Sequence, residues 1–120
     1  MKRKALVLIS AVMLVVGIVT TNALANSGSY NTTGRQYIGS VYNNTTSTKT
    51  AYGKLYPAGG IAELQICNAA GTTIYKTGTY PLNPVNPNET TFACPAYTTR
   101  SFYVKAISGQ AWGDIIYGLR

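Results

Sequence analysis

The sequence predicts an all-β fold: a small single-domain antiparallel β-sandwich, or partly open barrel, of about six to seven short strands with one disulfide, preceded by a cleaved signal peptide. Three observations lead there. Short runs rich in Val, Ile, Thr and Tyr alternate apolar and polar residues and are punctuated by Gly, Pro and Asn. All ten tyrosines lie beyond residue 25, where helix-forming residues are scarce. Two cysteines, Cys67 and Cys94, bracket a hairpin and a returning segment, the arrangement by which a small exported domain is stapled.

The chain opens Met1-Lys-Arg-Lys4, runs apolar from Ala5 to about Val19, and reaches Ala23-Leu-Ala25. A basic start, an apolar stretch and small residues two apart form a secretory signal, with cleavage expected between Ala25 and Asn26. The apolar run is about as short as a bilayer span can be, and the small-residue site favours cleavage over a retained anchor. The protein is therefore expected to be secreted and extracellular, with no stable membrane insertion after cleavage. Three domain assignments follow: a signal peptide at 1–25, a flexible mature N-terminus at 26–35 and a secreted β-sandwich domain at 36–120. Losing Lys2, Arg3 and Lys4 leaves seven cations against Glu63, Glu89 and Asp114, a net charge of +4. That charge favours encounter with anionic surfaces. It is spread too thinly for nucleic acid, which calls for a clustered basic face.

Residues 26–34 are polar and Gly/Ser-rich, hence the expected mobility. Gln36–Tyr42 reads as the first strand, Asn43–Ser47 as a turn, and Thr48–Tyr56 as a strand with Thr50, Tyr52, Lys54 and Tyr56 on one face. Pro57-Ala-Gly-Gly60 is turn chemistry. Ile61–Cys67 is a strand with Leu64 and Ile66 on one face and Glu63, Gln65 and Cys67 on the other. Asn68-Ala-Ala-Gly71 suits a hairpin loop, and Thr72–Thr79 is its return. Three prolines between Pro81 and Pro87 fit an extended connection to Phe92-Ala-Cys94. Tyr97–Thr99 fits either strand or loop. Arg100–Ser108 is a strand with Phe102 and Val104 opposite Tyr103 and Lys105, Ser108–Gln110 a turn, and Ala111–Tyr117 the last strand. A Cys67–Cys94 disulfide, the single intramolecular pairing two cysteines allow, would contribute roughly 3–4 kcal/mol.

The chemical inventory is poor. Without histidine, the usual nucleophilic triads and zinc sites cannot be assembled. A glycosidase needs two facing carboxylates, a role open here to Glu63 and Asp114 alone if their strands are neighbours; two solvated strand residues are the expectation. No acidic loop resembles a calcium site. We expect no enzyme activity, no catalytic residues, no metal and no cofactor. Four Asn-x-Ser/Thr triplets begin at Asn31, Asn43, Asn44 and Asn88; beside a bacterial-looking signal they read as by-products of an Asn/Thr-rich chain.

Aromatic residues beside cations are the stronger signal. Tyr52, Lys54, Tyr56, Tyr103, Lys105 and Trp112 form the candidate binding surface, since such rings suit glycan stacking or a protein interface; the competing expectation is that most rings fill the core. The sequence thus points to a small non-enzymatic β-domain that binds a cell-envelope, glycan or protein partner. Alternatives are a bacteriocin-like antagonist of target cells, an inhibitor of an extracellular hydrolase presenting the Pro81–Glu89 loop, and a matrix component.

Overall fold

A computed structural model describes residues 24–81 and 88–120. Residues 1–23 of the expected signal peptide and most of the proline-rich connection lie outside the described residues, while the last two residues of that peptide, Leu24 and Ala25, open the first strand. The described residues are all-β and contain no helix. Six antiparallel strands run in chain order: β1 (Leu24–Thr32), β2 (Arg35–Tyr42), β3 (Lys49–Cys67), β4 (Ile74–Tyr80), β5 (Thr90–Cys94) and β6 (Thr99–Leu119). They make one sheet.

The sheet is organised by its two long strands. β3 and β6 pair along almost their whole lengths, from Ala51 opposite Leu119 to Cys67 opposite Ser101. Shorter strands flank each end of this ribbon. At one end β1 adds to β6 and β5 adds to β3; at the other, β2 adds to β6 and β4 adds to β3. We call these the β1–β5 half and the β2–β4 half.

The ribbon bends where turns were expected. Pro57–Gly60 and Ser108–Gln110 do not end strands; they are irregularities within β3 and β6, with register shifts between Pro57 and Ile61–Ala62. Gly60 and Gly109 adopt φ of 75° and 63° there, values a residue with a Cβ rarely takes. The same chemistry that makes a turn makes a bulge, and bulges in both partners at one level let a ribbon fold over without breaking its ladder.

Folding over brings the halves together. Gly53 in one lies against Leu64 and Phe102 in the other, and the Phe102 and Tyr117 rings sit 5.0 Å apart. The core holds Leu55, Leu64, Ile66, Phe102, Val104 and Ile115, all fully buried, and every one follows the period-2 alternation of its strand. One face of each half packs inward and the other faces out.

Two further expectations are corrected. Residues 26–32, expected to be mobile, form β1, paired from Asn26–Tyr117 to Thr32–Ala111, and Arg35 opens β2. The cysteines are not bonded: Cys67 and Cys94 are both free and buried. Their side chains point apart. Cys67 lies in an outward row with Ser101, its sulfur accepting from the Arg35 guanidinium at 3.4 Å. Cys94 belongs to the inner core, its thiol donating to the Thr98 carbonyl at 3.2 Å. A disulfide demands converging Cβ atoms, which these orientations do not provide. Burial pushes both thiols up, the nearby Arg35 and Arg100 opposing it respectively.

Candidate functional site

In an antiparallel ladder, residues directly opposite one another share a face. The registers therefore lay out the outer face of the β1–β5 half as rows. Ser29 of β1, Asp114 of β6 and Tyr56 of β3 form one; Ser27, Ile116 and Lys54 form the next; Asn31, Trp112 and Gly59 form the row at the bend. Tyr56 and Trp112 are diagonal neighbours, and each is 43% exposed. The indole packs directly on Gly59, where any Cβ would overlap its six-membered ring. Lacking a side chain, Gly59 lets the ring lie close to the sheet. The Lys54 ammonium sits 5.2 Å from the centre of the Tyr56 ring, a cation–π arrangement.

An open groove of about 650 Å³ runs beside Tyr56, lined by Ser27, Gly28, Ser29, Asp114, Ile115 and Ile116. Its size falls within the range of small-ligand sites. Asp114 makes no hydrogen bond or ion pair among the described residues. By contrast Glu63 accepts from Gln65 Nε2 at 2.8 Å, and Glu89 is clamped by Arg120 at 2.6 and 3.2 Å. The Arg120 hydrogen bond holds the Glu89 carboxyl below its ordinary range. Behind Asp114, inside the half, Tyr30 is 2% exposed and its hydroxyl has no partner among the described residues. Burial, with the Asp114 charge adding to it, pushes Tyr30 up to about 12.

The six residues singled out from sequence do not form one site. Tyr52, Lys54, Tyr56 and Trp112 belong to the outer face of the β1–β5 half. Tyr52 is only 5% exposed there, because Arg120 stacks over its ring at 4.4 Å. Tyr103 and Lys105 belong to the outer face of the other half, in rows with Tyr37 and Gln65 and with Arg35 and Glu63. Arg35 covers Tyr103 at 3.8 Å, donates to Gln65 Oε1 and the Gly71 carbonyl at 2.8 Å each, and so straps β2 to β3 and the hairpin loop. Glu63 and Asp114 likewise lie on opposite outer faces.

Sequence reasoning missed Ser27 and Ser29, which fell in the segment expected to be mobile, and gave Asp114 no binding role. The only local signal was a weak Ser-x-Ser alternation. It also missed a seam between β4 and β5, where Tyr75 and Phe92 stack at 5.1 Å and Arg100 caps Tyr75 at 4.5 Å. Of the four Asn-x-Ser/Thr triplets, Asn43 is fully buried, its amide donating to the Ser47 and Cys94 carbonyls at 2.8 and 2.9 Å.

Neither a protein-family model nor a curated protein matches the chain. The functional reading therefore rests on the site itself.

Proposed function

We propose that this is a small secreted, non-enzymatic β-sandwich domain that binds a glycan of the cell envelope or extracellular matrix, and that the outer face of the β1–β5 half is the binding face. One observation carries the reading: Tyr56 and Trp112 stand half-exposed at diagonal positions of one face, with an open groove edged by Ser27, Ser29 and Asp114 beside Tyr56. Aromatic rings stack on the apolar C–H faces of sugar rings, and the hydroxyl and carboxylate groups alongside hydrogen-bond their edges. Two-χ aromatic side chains offer this area at low entropic cost. The +4 charge raises the encounter rate with an anionic envelope, a separate, salt-screened effect.

The test is cosedimentation of the secreted protein with intact bacterial cells and with insoluble wall glycans, at low and physiological salt. The reading expects retention at physiological salt that Trp112→Ala and Tyr56→Ala weaken while far-UV circular dichroism stays unchanged. Retention confined to low salt would reduce the interaction to net charge, and no retention would reject a glycan or envelope ligand.

A further inference from the structure

We infer that the ligand of this face is an uncharged, hydroxyl-rich sugar chain rather than an anionic wall polymer, and that Asp114 selects it. This rests on the binding face proposed above and adds the chemistry of what the face accepts.

Asp114 stands in the middle of its row, between the Tyr56 ring and the Ser29 hydroxyl. It is the carboxylate left without a hydrogen bond among the described residues, Glu63 and Glu89 both being engaged. An ionised carboxylate only accepts hydrogen bonds. A sugar edge offers several hydroxyl donors at once; a phosphodiester or uronate chain offers fewer and brings negative charge. The cations do not reverse this. Lys54, in the adjacent row, leans over the Tyr56 ring, and Arg120 is neutralised by Glu89. Lys105 and Arg35 belong to the opposite outer face. An anionic polymer drawn by the overall charge therefore meets an unneutralised carboxylate at the groove, while a neutral pyranose meets an acceptor, two serine hydroxyls and two rings.

The experiment compares retention of the full secreted chain on neutral insoluble polysaccharides (cellulose, chitin and a β-1,3-glucan) with binding to poly(glycerol phosphate), at low and physiological salt. The variants are Asp114→Ala, Asp114→Asn and Tyr56→Ala, each checked by thermal melting. We expect at least one neutral polysaccharide to be retained with little salt dependence. Tyr56→Ala lowers that retention about tenfold or more, and Asp114→Ala lowers it several-fold. Asp114→Asn keeps more of it than the alanine variant and binds poly(glycerol phosphate) more tightly than the parent does.

Preference of the parent protein for poly(glycerol phosphate) at physiological salt would overturn the inference, as would failure to retain any neutral polysaccharide or indifference to both Asp114 variants. The two readings fail differently. If Tyr56→Ala abolishes binding to the anionic polymer, the face stands and the ligand chemistry is wrong. If Tyr56→Ala changes nothing on any ligand, the face itself is wrong.

Discussion

The two outer faces of this folded sheet carry the same sequence signature and cover its tyrosine alike, but they differ in what stands beside it. Tyr-x-Lys occurs at Tyr52–Lys54 and again at Tyr103–Lys105. On the β2–β4 half the aromatic ring is consumed: Arg35 lies across Tyr103, Tyr37 meets it edge-on at 5.3 Å, and the guanidinium is spent on Gln65 and the Gly71 carbonyl. On the β1–β5 half Arg120 covers only Tyr52, leaving Tyr56 and Trp112 open beside a groove. The aromatic–cation pairing is thus a structural strap on both faces, and the β1–β5 half differs in having Tyr56 and Trp112 half-exposed beyond the strap.

The buried tyrosines extend the comparison beneath the surface. Tyr80, in β4, donates to the Asn88 carbonyl at 2.8 Å and lies 3.0 Å from the Thr90 hydroxyl. Tyr30, in β1, has no such partner among the described residues. Raising the pH should be felt most strongly at Tyr30. The unfolded chain ionises its tyrosines near 10, whereas folded Tyr30 holds its proton to about 12. Between those values the unfolded state has released the proton and the native state has not, so stability falls, by about 2–3 kcal/mol from Tyr30; burial raises Tyr80 and Tyr117 as well, and each adds a loss in the same direction. Denaturant melts from pH 9 to 12 check this, and Tyr30→Phe should remove Tyr30's share. At neutral pH the same substitution should stabilise by about 1 kcal/mol, because it deletes a buried hydroxyl without a partner. Tyr80→Phe should destabilise by a similar amount. If both behave alike, the distinction between the halves does not extend to their interiors.

On the surface, Arg35→Ala should cost about 1–2 kcal/mol in urea unfolding by removing the guanidinium hydrogen bonds and the contact with Tyr103, and leave ligand retention intact. Lys54→Ala, at the corresponding place on the open face, should change stability by less than about 0.5 kcal/mol. The Glu89–Arg120 pair gives an effect of similarly small size. Arg120 lowers the Glu89 carboxyl below its ordinary value, so its stabilisation is complete above that ordinary value and is lost as pH falls through the lowered one. The side chains are 31% and 45% exposed, so solvent screening leaves about 0.5 kcal/mol, reduced further by salt. Melts of Glu89→Gln against the parent should show a gap at pH 7 that shrinks as the pH is lowered through the carboxyl's titration.

Much of the fold was legible because alternation is local. Alternation places Leu64 with Ile66, and Phe102 with Val104, on one face of their strands, and those faces are the buried ones. The loop at Asn68–Gly71 closes as expected, with Gly71 N–H donating to the Asn68 carbonyl at 3.0 Å. The failures were all matters of pairing over long sequence distances. Pro57–Gly60 and Ser108–Gln110 carry turn residues, and whether such residues end a strand or bulge it depends on the partner opposite. Residues 26–32 have little strand propensity, and the ladder to β6 supplies what they lack. The fates of Tyr52 and Tyr103 were set by Arg120 and Arg35, each 68 residues away along the chain. The free cysteines followed the same logic: the alternation was legible, but not which sides of the two halves the sulfurs would face.

The central claim is that the open face, not the strapped one, holds the ligand. The most direct measurement compares two double variants, Tyr56→Ala/Trp112→Ala and Tyr37→Ala/Lys105→Ala, for retention on the same insoluble glycan at physiological salt, with circular dichroism confirming the fold of each. The account predicts that the first loses retention by roughly tenfold or more and the second holds it within about twofold of the parent. Equal loss from both, or loss from the second alone, would contradict it.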